Sequence, residues 1–596
     1  MKEHHFSRAV HTPRPDSFLR LCALSRTVLL FSSPRFTFPT RPAMSTNETS
    51  RLLPYEDPRE SFNDAQRAQL RDEENKQIRR ERRRLIFCLL LAIILTSSAI
   101  TFTYIAARMT LGRSRNVIMM VSDGFGPASQ TYARSYQQFV EGLPEGHMTK
   151  LDEILIGSSR TRSSNSFITD SAAGATAFSC GLKTYNAAVG VDKDGAPCGT
   201  ILEAAKALGM LTGIVVTDRV TDATPASFSS HVAHRFMEQE IAQQQIGDYV
   251  LGRQIDLLMG GGQCNFLPNG PEGGCRRDGR NLIKEAESYG WKTVMMTKQD
   301  FDTQTNKSEG IPLPALGLFR PLDLSFELDR DENLEPSLSD MTKAALVALQ
   351  KSAGPNQGFF LLIEGSRIDI AGHNNDPAAH VREILEYHKT VGAVRNFIRK
   401  NPNTLLISTS DHETGGFTLG FQPDPKTYPD YLWKPEVIRR VNKSTDVLSK
   451  LLAGFQSHDS KRRREFVRKD ILQDGLGITD PTEEELTFLV DSKVSTNQTM
   501  AFLGHAVSRR AMLGWTTQGH TGVDVNLYAD GDLDGYKGLL GNHENTEIGQ
   551  AMCDYLKVDL SYITRRLAKE TDKWFKPKPN VQDPSFQDDY HLKAGN

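Results

Sequence analysis

The sequence predicts an α/β protein with a large, mainly parallel β-sheet that is covered by helices on both faces. Short apolar runs rich in β-branched residues alternate with stretches of helical character, which is the pattern of strands buried on both faces. The chain has 596 residues, 38% of them hydrophobic, so it is long enough to bury a large core. Strands are predicted at 116–122 (NVIMMVS), 213–217 (GIVVT), 255–259 (IDLLM), 359–363 (FFLLI) and 404–409 (TLLIST).

The charge balance does not indicate a nucleic-acid partner. The chain has 71 basic and 73 acidic residues and a net charge of −2, so it has no strong positive field to attract a polyanion. Its seven cysteines are too few for a disulfide scaffold, and none forms a Cys-x-x-Cys pair. Cys264 and Cys275 bracket a loop rich in glycine and proline, and we expect them to form a disulfide if this region lies in an oxidising compartment.

The first 84 residues are predicted to be a disordered cytoplasmic tail. Residues 1–43 are rich in arginine and serine with almost no acid, as in transit peptides. The alternative is that translation begins at Met44. We favour it because the segment that follows residue 43 carries a different targeting signal. Residues 44–84 are polar and charged without hydrophobic periodicity. Within them, Glu48, Leu52 and Leu53 fit the acidic dileucine pattern that sorting adaptors bind.

Residues 85–107 predict a single transmembrane helix. This uncharged run of 23 residues would be roughly 34 Å long as a helix, which is enough to cross a bilayer. Arginines at 79, 80 and 82–84 crowd its N-terminal side, so the positive-inside rule places the tail in the cytoplasm and the remaining chain across the membrane. The span lies too far into the chain for a typical cleaved signal peptide, and it is interpreted as an uncleaved signal-anchor of type II. Asn-x-Ser/Thr sites at Asn306, Asn442 and Asn497 agree with this topology.

Acidic side chains recur at the carboxyl ends of the predicted strands. Asp123 follows the first strand, the segment 218–225 (DRVTDATP) the second, Glu364 the fourth, and Asp411 with His412 the fifth. Ligands of open α/β sheets bind beyond these ends. Because clustered carboxylates repel one another unless a cation lies between them, the pattern predicts a metal site.

Two further patterns add a nucleophile and more ligands. Ser171 precedes an alanine-rich run, which predicts a serine at a helix N-terminus, where free N–H groups attract a phosphate. Such a serine is usually only an N-cap, but the carboxylates and histidines elsewhere favour a catalytic interpretation. Asp369 and His373 lie four residues apart and His520 lies in a glycine turn. Oxygen and imidazole ligands suit Zn²⁺, and an all-oxygen subset suits Mg²⁺.

Six ordered motifs resemble those of the alkaline phosphatase family. They are VSDG (121–124), TDSAAGATA (169–177), TDATPASFSSHVAHR (221–235), EGSRIDIAGH (364–373), SDHETGG (410–416) and GHTG (519–522). The resemblance runs from about residue 115 to about 555, and the anchored layout with a dileucine tail is similar to fungal vacuolar members. It implies an alkaline phosphatase-like fold, hydrolysis of phosphate monoesters, a homodimer, and a vacuolar membrane location with the catalytic domain in the lumen.

The resemblance also implies site residues and cofactors. Ser171 resembles the nucleophile that becomes phosphoserine, and Arg235 resembles the guanidinium that binds the phosphate. The implied metal ligands are Asp369, His373 and His520 for a first Zn²⁺, Asp123, Ser171, Asp411 and His412 for a second, and Asp123, Thr224 and Glu364 for one Mg²⁺. Asp222 keeps an acidic group near the magnesium site, and other histidines, such as His231 and His234, are interpreted as structural.

The sequence departs from the family pattern at Ile370, where many relatives carry a basic residue or histidine. We expect Ile370 to alter phosphate affinity, product release or metal preference. Within a catalytic domain predicted at 115–565, the segment 420–515 resembles the variable cap region of these enzymes. The polar residues 566–596 are predicted to be a disordered tail.

Two alternative functions remain at this point. One is a phosphodiesterase or phosphonoacetate-type hydrolase of the same superfamily, which a serine nucleophile together with Arg235 and three metal sites disfavours. The other is an inactive, membrane-anchored scaffold, which the retention of every implied ligand disfavours. Phosphopeptides, sugar phosphates and nucleotides are not distinguished as substrates, because the family relies on the phosphate itself.

Overall fold

The computed structural model describes residues 63–111 and 115–576, apart from 272, 309, 355, 458, 492 and 570. The chain divides into two compact units, Met1–Thr101 and Phe102–Asn596. Residues 1–62, which carry the dileucine pattern and the alternative start, lie outside the described residues, as do 577–596.

A long helix, α1 (Asp64–Leu111), contains the predicted transmembrane run. Its portion Asp64–Thr103 is long and apolar enough to cross a membrane, judged by length and composition, and none of its most apolar stretch is buried. The prediction of disorder was wrong for residues 64–84, which are helical here. Arginine, glutamate, glutamine and lysine are good helix formers, and a helix that already runs through the apolar segment extends into them without a new nucleation step.

Twelve strands form one ten-stranded sheet and one two-stranded sheet. In chain order they are β1 (Asn116–Val121), β2 (Leu155–Arg160), β3 (Leu211–Arg219), β4 (Leu257–Gly261), β5 (Thr293–Met295), β6 (Ala315–Leu318), β7 (Phe359–Glu364), β8 (Thr404–Thr409), β9 (Glu413–Thr414), β10 (His520–Thr521), β11 (Val525–Gly531) and β12 (Gly541–Glu544). The large sheet has the order β12-β2-β11-β8-β1-β7-β3-β4-β6-β5. Within it β11 runs antiparallel to β8 and β2, and the other neighbours are parallel, which confirms the predicted class.

The centre of the sheet is buried on both faces. Along β1, Ile118 and Met120 pack in one apolar cluster, whereas Val117 and Met119 pack in another. Since successive side chains of a strand point to opposite faces, each face has its own core under a layer of helices. The predicted strands correspond to β1, β3, β4, β7 and β8, which are the five consecutive strands β8-β1-β7-β3-β4.

Eighteen more α-helices follow α1 in the described part of the chain. They are α2 (Pro127–Glu141), α3 (Ser171–Cys180), α4 (Ile201–Ala207), α5 (Ala223–Ser229), α6 (Glu238–Ile246), α7 (Leu282–Glu285), α8 (Lys298–Thr305), α9 (Leu338–Ser352), α10 (Arg367–His373), α11 (Pro377–Lys400), α12 (Pro435–Arg439), α13 (Thr445–Gly454), α14 (Ser460–Phe466), α15 (Glu483–Val490), α16 (Thr496–Ala511), α17 (Asn545–Leu556), α18 (Leu560–Leu567) and α19 (Thr571–Trp574). A π-helix spans Val467–Gly475, and 3₁₀ turns span Asp152–Ile154, Gln263–Phe266, Ala286–Tyr289, Leu533–Gly535 and Lys537–Leu539.

The C-terminal half contains the predicted cap segment and the predicted C-terminal tail. The segment 420–515 is mainly helical, with α12 to α16 and the π-helix inside it. The predicted disorder beyond residue 566 was wrong as far as Trp574, because α18 ends at the buried Leu567 and α19 follows. The Trp574 ring contacts the rings of His231 and Tyr249, with centroids 6.1 Å apart in each pair, and this apolar contact holds the terminal turn.

Two disulfides are present among the described cysteines. Cys264 pairs with Cys275, as the loop between them led us to expect. Cys180 pairs with Cys198, a bridge that the sequence did not indicate because the two residues do not bracket a recognisable loop.

Candidate active site

The acidic strand ends predicted from the sequence lie side by side. Strand β1 lies between β8 and β7, and β3 is the next strand beyond β7. Asp123 follows β1, Glu364 ends β7, and Asp411 follows β8. All three carboxylates are buried, so the sheet order brings together acidic groups that lie up to 288 residues apart in the chain.

Ser171 is the first residue of α3, and the N-cap is its neighbour Asp170. The Asp170 carboxylate accepts a hydrogen bond of 3.0 Å from the Ala173 N–H. The hydroxyl of Ser171 is therefore not needed as a cap, and its Oγ lies 3.2 Å from Nε2 of His412. The residue is buried, with 2% of its surface exposed, so the hydroxyl is held inside the site.

Three imidazole rings are oriented in the same way. In each ring Nδ1 contacts an oxygen of the surrounding protein: Gln518 O for His373, Thr169 O at 2.9 Å for His520, and Thr414 Oγ1 at 3.2 Å for His412. Each Nε2 therefore faces the site, which is the arrangement of histidines that bind a metal and are fixed by a second contact. Nε2 of His373 and Nε2 of His520 lie 3.1 Å apart.

The ligand atoms form two groups that share Asp369. Asp369, His373 and His520 make one group, and Asp123, Asp369 and His412 make the other, with the atoms of each group within 4.8 Å of one another. Asp411 also lies beside the second group, because its Oδ2 is 3.1 Å from Nε2 of His412. Each group could hold one cation.

The electrostatics of the buried carboxylates fit bound cations. Burial and the neighbouring Asp411 and Asp369 raise the pKa of Asp123 well above its usual range. Oδ1 of Asp123 and Oδ2 of Asp411 are buried, and neither accepts a hydrogen bond from the residues that the structure describes. Burying unsatisfied carboxylate oxygens is costly unless a cation compensates them, so these residues fit the implied metals.

Asp369 shows the opposite shift. Burial alone would raise its pKa, but His373 and His520 hold the pKa of this carboxyl well below its usual range. An ionised aspartate that belongs to both ligand groups is an effective ligand for Zn²⁺.

The predicted magnesium ligands Glu364 and Thr224 lie on the side of the site where β7 and β3 end. Burial raises the pKa of Glu364 to about 8, and its Oε2 accepts a hydrogen bond of 2.7 Å from Ser366 Oγ. The Thr224 hydroxyl adjoins the same carboxyl group. Glu364 and Thr224 thus offer the oxygen ligands that Mg²⁺ prefers.

Arg235 is held by two carboxylates near the nucleophile. Its Nη1 lies 3.2 Å from Oδ2 of Asp170, the residue before Ser171. Its Nη2 donates to both oxygens of Asp222 at 3.4 Å. A guanidinium held in this way presents a planar set of donors of the kind that binds phosphate.

Sequence reasoning did not assign a role to several residues that support the site. Thr414 contacts Asp369 and His412, Asp170 contacts Arg235, and Gln518 orients His373. Thr414 and Asp170 lie inside two of the six motifs, so the sequence could have indicated a role for them. Gln518 contacts His373 through its backbone oxygen, which any residue type could supply, so its side chain could not have indicated this role. His231 is a buried structural residue, as interpreted, with hydrogen bonds to Glu203 and Gly190.

Ile370 packs in a small apolar cluster on α10. Its neighbours there are Phe326, Ala371 and Ala379, and only 7% of its surface is exposed. The expected effect of Ile370 on phosphate or metal binding stays a prediction.

Comparison with known proteins matches the catalytic region. The alkaline phosphatase family model matches residues 114–558. The chain is 46% identical over 497 residues to the repressible alkaline phosphatase of Saccharomyces cerevisiae, an alignment that covers 80% of this chain and 88% of the relative. It is 48% identical over 476 residues to an alkaline phosphatase of Schizosaccharomyces pombe, covering 79% and 87%.

Solved structures agree with these relatives. The crystal structure of a cold-active alkaline phosphatase from a psychrophilic Shewanella species superposes with a TM-score of 0.62 and 30% identity, covering 74% of this chain and 99% of that one. The Thermus thermophilus alkaline phosphatase gives a TM-score of 0.61 and 28% identity, covering 75% and 92%. The matched family model, the order of the motifs and the shared fold show that this chain belongs to the alkaline phosphatase family.

Proposed function

We propose that this enzyme hydrolyses phosphate monoesters through a phosphoserine at Ser171, in a site that holds two Zn²⁺ ions and one Mg²⁺ ion. The observation that carries the proposal is the position of the Ser171 hydroxyl. It lies at the N-terminus of α3, 3.2 Å from Nε2 of His412. Beside it are the buried carboxylates of Asp123 and Asp411, each with one oxygen that accepts no hydrogen bond from the described residues. A serine so placed is suited to attack phosphorus.

The residues that would hold the cations are Asp369, His373 and His520 for one zinc ion, Asp123, Ser171, Asp411 and His412 for the other, and Asp123, Thr224 and Glu364 for magnesium. When bound, these cations lower the pKa of the serine hydroxyl and stabilise negative charge on the oxygens that enter and leave.

The chain itself positions the phosphate and the nucleophile. The N–H groups at the start of α3 attract the phosphate, and Arg235 binds the oxygens that are not transferred. Ser171 Oγ loses its proton and attacks phosphorus while the bond to the alcohol oxygen breaks, and the alcohol leaves after taking up a proton. Water then cleaves the phosphoserine, which releases phosphate and restores the hydroxyl. Two in-line displacements predict retention of configuration at phosphorus.

The test is hydrolysis of a chromogenic phosphate monoester by the full chain in detergent with Zn²⁺ and Mg²⁺, beside Ser171→Ala. We expect turnover that is lost on chelation and falls at least about a thousandfold in the variant. Acid quenching with labelled substrate should trap phosphoserine in the wild type only. Faster cleavage of diesters than of monoesters would favour the diesterase alternative, and a folded, metal-loaded protein without turnover would favour the scaffold.

We further propose a type II protein of the vacuolar membrane with its catalytic domain in the lumen, where it is glycosylated. The apolar part of α1, the arginines before it and the Cys264–Cys275 disulfide support this topology. Asn306 and Asn442 are exposed and could carry glycans. Protease treatment of sealed vacuoles should spare the catalytic domain, and endoglycosidase should lower its apparent mass. Digestion of the domain in sealed vacuoles would contradict the topology.

Homodimer formation and adaptor binding through Glu48, Leu52 and Leu53 remain part of the proposal, supported by the family resemblance and by the motif. Light scattering of the purified protein tests the first. Replacing both leucines with alanine and following the delivery of the enzyme to the vacuole tests the second.

A further inference from the structure

The guanidinium of Arg219 lies at the centre of a buried group of three carboxylates. Its Nη2 donates to Asp222 at 3.2 Å, its Nε to Glu238 at 3.1 Å, and its Nη1 to Asp323 at 2.5 Å. Only 10% of the Arg219 side chain is exposed. Burying a charge among charges is favourable only with close, well-directed hydrogen bonds, so this geometry restricts the guanidinium to one position.

Asp222 connects Arg219 to Arg235. Its Oδ1 accepts from Nη2 of Arg219 at 3.2 Å and from Nη2 of Arg235 at 3.4 Å. The contacts of Arg235 with Asp222, at 3.4 Å, are longer than that of Arg219, at 3.2 Å, and all of them exceed a usual N–H···O bond of about 2.9 Å, so a closer pair of Asp222 and Arg235 is geometrically open. One carboxylate is therefore shared by two guanidinium groups.

The side of Arg219 that faces away from Asp222 is itself fixed. Oε2 of Glu238 also accepts hydrogen bonds of 2.6 Å from Thr221 Oγ1 and from Asn265 Nδ2. Oδ2 of Asp323 accepts a hydrogen bond of 3.2 Å from Arg367 Nη1. Because its partners are held independently, Arg219 is a rigid support and not a side chain that follows its neighbours.

We propose that Arg219 is a positioning residue for phosphate binding, which acts through Asp222 on Arg235. The inference rests on the proposed role of Arg235 in binding the phosphate. Without Arg219, Asp222 would lose one of the two guanidinium groups that hold it, and its carboxylate could pair more closely with Arg235. A closer pair competes with phosphate for the same donors, so the affinity of the site for phosphate falls.

The test compares inorganic phosphate as a competitive inhibitor of the wild type and of Arg219→Gln, with kcat and KM for a chromogenic monoester. We expect the inhibition constant of phosphate to rise about tenfold, with a matching loss of kcat/KM. The matched control is Arg253→Gln. Arg253 is also a largely buried arginine, with 19% of its side chain exposed, and it donates to Ile255 O at 2.6 Å and to Asp256 at 2.9 Å, which are not among the groups that hold Arg219. Its loss should lower stability but leave phosphate inhibition unchanged.

A double-mutant cycle with Arg235→Gln separates positioning from a general effect on the fold. If Arg219 acts through Arg235, Arg219→Gln has no further effect on phosphate inhibition once Arg235 is replaced. Additive effects, or an equal rise in the Arg253→Gln control, would overturn the inference. A normal phosphate constant in Arg235→Gln alone would instead overturn the proposed role of Arg235.

Arg219→Lys carries the test if the glutamine variant does not fold. Lysine keeps the positive charge among the carboxylates but cannot donate in three fixed directions from a planar group. We expect this variant to fold and still to bind phosphate several-fold more weakly. Phosphate inhibition equal to that of the wild type in Arg219→Lys would overturn the inference.

Discussion

The hydroxyl of Thr414 joins Asp369 to His412, two residues that belong to different implied zinc sites. It donates a hydrogen bond to Oδ1 of Asp369 and lies 3.2 Å from Nδ1 of His412. Since the hydroxyl donates to the carboxylate, it accepts from Nδ1–H, so in the neutral imidazole Nε2 of His412 is the nitrogen able to bind a cation. One side chain thus orients a ligand of each site.

Replacing Thr414 with valine should weaken metal retention. The valine has a similar shape but cannot hydrogen-bond, so Asp369 and His412 lose their shared support, and metal affinity should fall about 10- to 100-fold. The measurement is the rate of metal loss to a chelator, followed by metal analysis. Thr414→Ser, which keeps the hydroxyl, is the control, and equal metal loss from the two variants would contradict the prediction.

Magnesium affinity should rise with pH through the neutral range. In the metal-free protein the pKa of Glu364 is about 8, so at lower pH Mg²⁺ must displace a proton from this carboxyl. Affinity should therefore increase up to about tenfold per pH unit below that pKa and level off above it. Calorimetric titration with Mg²⁺ at several pH values measures this. Glu364→Gln should bind more weakly and with less pH dependence, and a wild-type affinity independent of pH would refute the assignment.

The buried pair of His231 and Glu203 should stabilise the fold most in mildly acidic solution. His231 Nε2 lies 2.8 Å from Glu203 Oε1. Burial opposes the charge on His231, but Glu203 raises its pKa overall, while His231 and nearby donors lower the pKa of Glu203. Because the pKa of His231 is higher in the folded protein than in the unfolded chain, its protonation stabilises the fold below about pH 6.5. This stabilisation is lost as the pH rises through the pKa of His231 in the folded protein. Because the pKa of Glu203 is lower in the folded protein than in the unfolded chain, its ionised form stabilises the fold above about pH 4.5. This stabilisation is lost as the pH falls through the pKa of Glu203 in the folded protein.

Replacing both members of the pair, His231→Leu with Glu203→Gln, removes both titrations and should therefore lower the free energy of unfolding more near pH 5.5 than near pH 8.5. Thermal unfolding of the wild type and the variant at the two pH values measures the difference. A larger loss at the alkaline value would contradict the assigned charge state.

His380 should show the opposite pH dependence and so serves as the matched comparison. It is buried and bonded to Ile368 O and Ser129 Oγ, and burial lowers its pKa to about 4. Below about pH 6.5 the unfolded chain binds a proton here that the folded protein excludes, which disfavours folding by about 1 kcal/mol near pH 5.5. The cost of His380→Gln should thus be greater near pH 8.5 than near pH 5.5. The same thermal measurement checks this, and equal pH trends for the two histidine variants would rule it out.

The sequence by itself determined the class of the fold and the middle of the sheet, and it indicated the candidate residues of the site. Strands β8, β1, β7, β3 and β4 are buried on both faces, so they are continuous apolar runs, such as residues 404–409, that can be recognised without a structure. The candidate site residues lie in short motifs at strand ends and at a helix start, which the sequence alone reveals. Both features are local properties of the chain.

Only the tertiary structure decided the outer strands and the contacts between motifs. Strands β2 and β12 lie towards one edge of the sheet and have exposed or half-buried residues, so their sequences carry little hydrophobic pattern. The sharing of Asp369 by two ligand groups and the link from Arg219 through Asp222 to Arg235 depend on packing. These contacts join residues on separate elements, and their geometry follows from the order of the strands, which no local pattern specifies.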